Sequence, residues 1–160
     1  MRYLIMLSIL ISCSDSGIDR ETATREIMQL HALQRDFHFN KNAVDFARLL
    51  GKNHISVNRG KVTQPSQSDT EKRFAAYFNS VEFVKWDDTA EPIIRFSDDN
   101  RMAYTIVQKQ VILRYQNDAK QTVEETTDFS WLAVYKLHDD GWKIDAVGST
   151  NRESQEKIIE

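Results

Sequence analysis

The stretch from Phe129 to Ser149 constrains the fold of this chain more than any other part of the sequence. Asp139-Asp140-Gly141 supplies turn residues, and Trp, Val, Tyr and Ile are frequent on both sides of it. This pattern predicts two antiparallel strands joined by a tight turn. If Leu137 pairs with Trp142, one face of the hairpin is apolar apart from one hydroxyl group. The pairs then expected on that face are Tyr135 with Ile144, Ala133 with Ala146, and Trp131 with Gly148.

Three helices are predicted in the first half of the chain. The first runs from Asp19 to His38, with an apolar stripe of Ile27, Leu30, Leu33 and Phe37 and with His31, Gln34 and His38 along its edge. Asn42 caps the second helix, which spans 43–50. Ser68-Asp69-Thr70-Glu71 has the sequence of a capping box and opens the third. A short hairpin is predicted between the second and third helices, around Asn58-Arg59-Gly60.

Long antiparallel strands are predicted after the third helix. Residues 81–86, 93–96 and 102–115 have strand character, and Asn117 and Asp118 turn the last of these back into residues 122–137. Either of the likely lengths of this turn places Tyr104 and Gln108 on the same face as Trp131 and Tyr135. The opposite face is expected to carry Val107, Val111, Leu113 and Leu132, with Lys109 and Asp128 close enough to pair.

The N-terminus carries a separate signal. Arg2 precedes an apolar run from Leu4 to Ile11, which is too short to span a bilayer. The run ends in Leu10-Ile11-Ser12-Cys13, which resembles a bacterial lipobox, in which the cysteine becomes the lipidated first residue of the mature protein. Cys13 is the single cysteine of the chain, so it has no disulfide partner. The alternative is an ordinary signal peptide that ends near a cysteine.

The remaining sequence is expected to form one domain. We divide the chain into a signal peptide at 1–12, a tether at 13–19, a domain at 20–150 and a polar C-terminal tail at 151–160. The formal net charge of −3 is not that of a nucleic-acid-binding protein. No cysteine and histidine spacing indicates a metal site, and we expect neither a metal nor another cofactor.

The order of these elements resembles that of the nuclear transport factor 2-like superfamily, which includes SnoaL-like and ketosteroid-isomerase-like proteins. The resemblance covers residues 20–150 and includes two short motifs, FVKWDD at 83–88 and Gly141-Trp142-Lys143-Ile144. It implies an α+β, cone-shaped fold in which three N-terminal helices pack on a curved, antiparallel or mixed sheet. It also implies a cavity beneath the first helix and a homodimer formed through the outer face of the sheet. We expect that outer face to be the one with Val107, Val111, Leu113 and Leu132.

A ligand-binding cavity is expected between the first helix and the sheet. Its candidate lining residues are His31, Trp86, Tyr104, Gln108, Trp131 and Tyr135. The aromatic residues among them are alternatively core residues. A buried amide such as that of Gln108 needs a hydrogen-bond partner or a hydrated cavity, because leaving it unpaired costs about 1 to 3 kcal/mol.

No residue is assigned a catalytic role. The isomerase branch implies a carboxylate base in an apolar site that faces acidic donors. Asp87, Asp88, Asp128 and Asp145 all have polar or charged neighbours in the predicted elements, as expected of solvated or paired carboxylates. We therefore expect an envelope lipoprotein that binds a small, partly apolar ligand or acts as a dimeric interaction module, attached to the membrane through Cys13. The alternative is an isomerase, dehydratase or cyclase.

Overall fold

The computed structural model describes residues 18–159 of the chain. Its helices are α1 (Arg20–Phe39), α2 (Ala43–Arg48) and α3 (Gln67–Ser80). Its strands are β1 (Leu50–Asn58), β2 (Lys61–Thr63), β3 (Glu82–Asp88), β4 (Ile93–Phe96), β5 (Met102–Gln116), β6 (Thr122–His138), β7 (Gly141–Asn151) and β8 (Gln155–Ile158). The expected signal peptide at 1–12 and the expected lipid attachment site at Cys13 lie outside the described residues.

The strands form one mixed, curved sheet in the order β2-β1-β7-β6-β5-β3. Strand β1 pairs with β7 in parallel, whereas the other neighbouring strands are antiparallel. Strands β3 and β4 pair with different parts of β5, and β7 and β8 pair with different parts of β6. The three helices cover the inner face of this sheet, and the core lies between the two layers. The expected α+β fold is confirmed.

The buried side of helix α1 is rotated from the predicted one, although Ile27, Leu30 and Phe37 still pack against the core. Asp19 caps the helix, and its carboxylate accepts a hydrogen bond from the backbone N–H of Thr22. The centre of the buried side carries Ala23, Ile27, His31 and His38. Leu33, which was expected in the apolar stripe, is 38% exposed. The two histidines thus face the sheet rather than the edge of the interface.

Helices α2 and α3 differ from the prediction at their ends. Asn42 caps α2 as expected, but the helix ends at Arg48, and residue 50 already begins β1. Helix α3 begins at Gln67 and is capped by Ser66, whose hydroxyl accepts from the backbone N–H of Asp69 and donates to its carboxylate. The predicted capping box at 68–71 therefore lies within the first turn of α3. Ser66 caps the helix two residues earlier, and the Asp69 carboxylate accepts from the Ser66 hydroxyl rather than from the Ser66 backbone N–H, unlike in a capping box.

The short β1–β2 hairpin has a two-residue turn instead of the predicted three-residue loop. Asn58 pairs with Lys61, so Arg59 and Gly60 form the turn. Both residues have positive φ angles, of 49° and 71°. Two consecutive left-handed residues match the twist of the flanking strands, and Gly60 adopts this conformation without a steric penalty.

The β6–β7 hairpin begins with the predicted register and then shifts. Leu137 pairs with Trp142 and Tyr135 pairs with Ile144, as expected. Beyond Ile144, Asp145 is an extra residue in β7, so Val134 pairs with Ala146 and Trp131 with Ser149. This β-bulge overturns the expected pairs of Ala133 with Ala146 and of Trp131 with Gly148.

The predicted face assignment of β5 against β6 was wrong by one residue. The backbone N–H of Asn117 donates to Gln121 O, which leaves a three-residue tip in which Lys120 has a φ of 60°. Adding or removing one residue in such a turn changes which residues of the two strands share a face of the sheet, so an odd number of turn residues gives the opposite assignment to an even number. Tyr104 therefore pairs with Val134 and Gln108 with Ser130, on the outer face of the sheet.

The same shift moves the apolar residues that were expected on the outer face. Val107 and Val111 are each 3% exposed and face the helices, while Leu132 is 45% exposed on the other side. The face expected to form a dimer, with Val107, Val111, Leu113 and Leu132 together, does not exist. Lys109 also faces inward, so it does not pair with Asp128. The segment expected as a polar tail contains β8, which extends the sheet beside β6.

Candidate functional site

A cavity of about 310 Å³ lies between the helices and the inner face of the sheet. Aromatic and aliphatic side chains form most of its wall, and a smaller number of polar side chains complete it. The lining residues are Gln34, His38, Phe46, Leu50, His54, Ser56, Asn58, Arg73, Phe74, Tyr77, Trp86, Trp131, Ile144, Val147 and Ser149. A concave, largely apolar space with a few polar groups is typical of a small-molecule site.

Two tryptophans from different strands form a continuous aromatic wall in this cavity. The ring centroids of Trp86 on β3 and Trp131 on β6 lie 5.2 Å apart. Strand β5 runs between them, because Trp86 pairs with Val111 and Trp131 with Val107. The His38 ring stacks on Trp86 at 4.5 Å between centroids. Trp86 is 3% exposed and so is mostly held by packing, whereas Trp131 is only half-buried.

His38 is a buried, neutral part of this wall. Its Nδ1–H donates to the backbone carbonyl of Gln34 at 2.6 Å. Burial lowers the pKa of His38 to about 4, against the opposing effect of the Gln34 hydrogen bond, and the charge of Lys109 lowers it further. His38 is therefore uncharged at neutral pH.

One amide links α1 to the sheet beside the cavity. The side-chain N–H of Gln34 donates to the hydroxyl of Tyr135 at 3.3 Å. Tyr135 is fully buried, and burial raises the pKa of its hydroxyl, while the hydrogen bond from Gln34 opposes the rise. Tyr135 thus positions Gln34 and does not itself line the cavity.

The polar part of the cavity combines one cation with neutral hydrogen-bonding groups. Arg73 on α3 contributes the guanidinium, while His54, Ser56 and Ser149 come from β1 and β7. Burial lowers the pKa of His54, as does the charge of Arg73, against the opposing effect of Asp145. Neither Asp nor Glu occurs among the described residues that line this cavity.

A cluster of three charged or polar side chains, Lys109, Asp88 and His31, lies next to Trp86 of the aromatic wall. The ammonium of Lys109, a residue that is 2% exposed, lies 2.6 Å from one Asp88 oxygen. The other Asp88 oxygen accepts a hydrogen bond from His31 Nε2 at 2.7 Å. Lys109 Nζ also lies 3.7 Å from the ring centroid of Trp86, a cation–π contact that connects this cluster to the cavity wall.

The charges of this cluster are matched to one another. Burial opposes ionisation of Asp88, but the hydrogen bonds from Lys109 and His31 outweigh it and lower the pKa of that carboxyl. Burial also lowers the pKa of Lys109, although Asp88 opposes this effect. A carboxylate that is bound on both oxygens is a poor proton acceptor, so Asp88 is suited to a structural role.

The structure divides the predicted site residues into three groups. Trp86 and Trp131 line the cavity. His31 and Tyr135 lie on the same side of the sheet but bind Asp88 and Gln34 instead. Tyr104, which is 40% exposed, and Gln108 lie on the outer face because of the three-residue tip between β5 and β6.

Gln108 lines a second, polar cleft of about 470 Å³ on the sheet. In this cleft the Gln110 amide accepts a hydrogen bond from Lys85 and donates one to Asp128. The Gln108 amide, which was expected in the cone, therefore lies at the surface of the protein.

Sequence reasoning missed Lys109, Arg73 and His54. Val107, Lys109 and Val111 occupy every second position, so the three residues share one face of β5. That face had been assigned to the outside of the sheet. Arg73 lies one residue before Phe74 on α3 and so borders the aromatic stripe. His54 lies in a short strand whose pairing with β7 is remote in sequence, and no local pattern predicts it.

The outer face of the sheet is crossed by two rows of mostly apolar residues, which we call the outer rows. Each residue of a row is paired with the next one on the adjacent strand. The first row consists of Val62, Val57, Gly148, Leu132, Ile106 and Ile93. The second row consists of Ile55, Ala146, Val134, Tyr104 and Arg95. Five side chains of the first row are between 38% and 72% exposed.

Neither a metal-binding cluster nor a membrane-spanning helix occurs among the described residues. Within residues 18–159, no group of three or more His, Cys, Asp or Glu side chains is arranged to hold a metal ion. The helices in the same range include none with the length and apolar character needed to cross a membrane.

Comparison with solved structures identifies the fold. A nuclear transport factor 2-like protein from Cytophaga hutchinsonii is 15% identical with a TM-score of 0.62, and the match covers 84% of this chain and all of the other. A candidate scytalone dehydratase from Novosphingobium aromaticivorans is 10% identical with a TM-score of 0.69, over 88% and 91% of the two chains. A nuclear transport factor 2-like protein of unknown function in nutrient uptake from Rhodospirillum rubrum is 15% identical with a TM-score of 0.60, over 79% and 98%.

These likenesses establish the architecture. The chain has the nuclear transport factor 2-like fold, as its order of elements had indicated. No protein-family model matches the sequence, and no curated protein matches it either. Because proteins with one fold have different activities, function has to be argued from the cavity and its residues.

Proposed function

We propose that this protein binds a small, partly apolar molecule in the cavity between α1 and the sheet and does not transform it. The observation that carries this proposal is the cavity of about 310 Å³, with the Trp86–Trp131 wall on one side and hydrogen-bonding groups elsewhere in its lining. Aromatic surface supplies most of the binding free energy for a flat molecule, and a few polar groups orient it.

An enzyme of the isomerase, dehydratase or cyclase type is the second candidate. The hydrogen bond between His31 and Asp88 favours it, because a paired imidazole and carboxylate is a common proton-transfer device. Two observations favour binding without catalysis. Lys109 neutralises Asp88, and the described lining of the cavity contains no carboxylate that could act as a base.

We propose further that the protein is a lipoprotein of the bacterial cell envelope. The apolar run from Leu4 to Ile11 and the lone Cys13 support this assignment. One acyl chain alone gives weak membrane binding, whereas two or more anchor a protein stably. The ligand-binding domain would then be held at a membrane surface by the short segment that precedes α1.

We also propose a homodimer formed through the outer rows. Exposed apolar residues on this scale are typical of interaction surfaces. An isologous contact, in which the same patch of two copies pairs, is the commonest way to cover such a surface. The outer rows replace the dimer face that had been expected from the sequence.

A thermal-shift experiment with a neutral probe tests the binding proposal. We expect 1-naphthaleneacetamide to raise the melting temperature of the purified full chain. A probe at ten times its dissociation constant stabilises the folded state by about 1.4 kcal/mol, which raises the melting temperature by about 3 to 6 °C for a domain of this size. Ser56→Trp should fill the cavity and abolish the shift. Gln108→Leu, on the outer face, should retain it.

The probe series should also include indole and phenylacetamide, which have smaller ring systems. If none of the three, and no carboxylic acid of similar shape, raises the melting temperature, or if Ser56→Trp and the wild type respond alike, the cavity does not bind ligands. Conversion of a bound molecule, detected by mass spectrometry, would favour the enzyme.

A further inference from the structure

The cavity combines an apolar wall with an excess of positive over negative charge. Arg73 is the one permanently charged side chain among its described lining residues. The two histidines in the lining, His38 and His54, both have lowered pKa values and are neutral at neutral pH. No carboxylate balances Arg73 within the lining. An anionic ligand would supply the counter-charge that the lining itself lacks.

Arg73 is also free of ion pairs in the described part of the chain. Some arginines pair with an aspartate or glutamate at 2.7 to 2.9 Å, as Arg35, Arg48 and Arg114 do, and other arginines among the described residues form no such pair. No such pair forms at Arg73 among residues 18–159. Its guanidinium instead lies 5.0 Å from the ring centroid of Phe74, which also lines the cavity. This contact holds the cation beside the apolar wall.

The neighbourhood of Arg73 is otherwise made of hydrogen-bonding groups. His54 is 4% exposed, and burial lowers its pKa, with a further lowering from the charge of Arg73. Ser56 and Asn58 lie farther along the same strand, and Ser149 comes from the adjacent β7. Asp145 also acts on His54, but it lies at the bulge of β7 and does not line the cavity.

We propose that the ligand class of this cavity is a small monocarboxylic acid with a flat apolar body. The body would lie against the Trp86–Trp131 wall, and the carboxylate would accept hydrogen bonds from Arg73, with Ser56 and Ser149 as further donors. This inference rests on ligand binding in the cavity, as proposed above. It adds the charge of the ligand and the residue that recognises it.

The chemistry of the lining favours a carboxylate over other anions. A guanidinium matches the two oxygens of a carboxylate with two parallel hydrogen bonds. One arginine balances one negative charge, whereas a phosphate monoester carries nearly two at neutral pH. The apolar wall requires a ligand whose remaining surface is hydrocarbon.

Matched pairs of acids and amides test this inference by isothermal titration calorimetry on the purified full chain. The pairs are phenylacetate, indole-3-acetate and 1-naphthaleneacetate, each with its amide, which has nearly the same shape but no charge. We expect at least one acid to bind tenfold or more tightly than its amide at low salt. This preference should shrink at 0.5 M salt, because exposed charges are then screened.

Two substitutions one residue apart provide the control. Arg73→Gln should reduce the acid-to-amide preference to twofold or less while the amide binds as before. Lys72→Gln removes the same charge from the same helix but from a side chain outside the cavity lining, so it should keep the preference. Both positions are exposed, and unchanged melting temperatures will verify that both variants fold.

The possible outcomes separate this inference from the proposal on which it rests. Acid and amide that bind with equal affinity to the wild type overturn the carboxylate inference and leave ligand binding intact. A preference that persists in Arg73→Gln also overturns it, since another group would then recognise the acid. Absence of binding by all six probes overturns both proposals.

Discussion

The ammonium of Lys109 lies 2.6 Å from the Asp88 carboxylate, beneath the aromatic wall of the cavity. Asp88→Asn should lower the free energy of unfolding by about 3 kcal/mol, because it leaves a buried ammonium without its counter-charge. Lys109→Met keeps the aliphatic stem, and Asp88 retains His31 and some contact with water, so this variant should lose less. Urea unfolding at pH 7 will measure both.

The order of these two losses is the critical result. If Lys109→Met is destabilised as much as Asp88→Asn, then an unpaired Asp88 costs as much as an unpaired Lys109, which contradicts the account in which the buried ammonium is the costlier charge to leave alone. His31→Asn serves as the control, since it removes the second partner of Asp88 and leaves the pair with Lys109 in place.

Stability should fall in mild acid because His38 is buried in its neutral form. Burial lowers the pKa of His38 to about 4 from an ordinary value of 6.5. Between these values the unfolded chain binds a proton that the folded chain does not, so stability is lost as the pH falls from 6.5 towards 4. The shift corresponds to about 3 kcal/mol. His38→Phe should flatten this dependence, measured by urea unfolding at several pH values.

His54 provides a comparison for this experiment. Its pKa is also lowered by burial, but it carries the smaller shift, so His54→Asn should leave most of the pH dependence in place. The same slope in His38→Phe and in the wild type would contradict the role of His38.

The outer rows are predicted to hold two copies of the chain together. Leu132→Glu places a charge in the first row and should convert a dimer into a monomer at tens of micromolar, as measured by analytical ultracentrifugation. Val84→Glu is the matched control, because Val84 is 39% exposed on β3 but lies outside both rows. A monomeric wild type, or equal dissociation by both variants, would contradict this interface.

Cys13 is predicted to carry the lipid that attaches the protein to a membrane. Full-length wild type produced in a bacterium should partition into the detergent phase of a detergent extraction, whereas Cys13→Ser should partition into the aqueous phase. Mass spectrometry of the N-terminal peptide should show cleavage before Cys13 together with acyl chains. Identical partitioning of the two proteins would rule out this anchor.

The sequence predicted those parts of the fold that are determined by local chemistry. The turn at Asp139-Asp140-Gly141 and the pairs nearest to it were correct, because turn residues determine the register of the strands that they join. The order of helices and strands from α1 to β7 was also correct, whereas β8 was missed in the segment expected to be a polar tail. The bulge at Asp145 left no local signal, so the register farther along β7 was missed.

The site was less predictable, because the length of the turn between β5 and β6 determines which residues of β5 face the cavity. The tip between β5 and β6 has three residues, with Lys120 in a left-handed conformation that glycine would normally mark. Without such a marker, Tyr104 and Gln108 were assigned to the cavity and Lys109 to the outside. Trp131 was placed correctly, because its face follows from the β6–β7 hairpin rather than from this turn.

Nuclear magnetic resonance of the indole N–H groups tests the central claim most directly. The chain has three tryptophans, of which Trp86 and Trp131 line the cavity while Trp142 packs near Phe96 instead. Addition of neutral 1-naphthaleneacetamide to protein labelled with ¹⁵N at the indoles should shift the signals of Trp86 and Trp131 and leave that of Trp142 in place. Single Trp→Phe variants assign the three signals. Signals that all stay in place at saturating probe, or a shift of Trp142 alone, would contradict a ligand-binding cavity beneath α1.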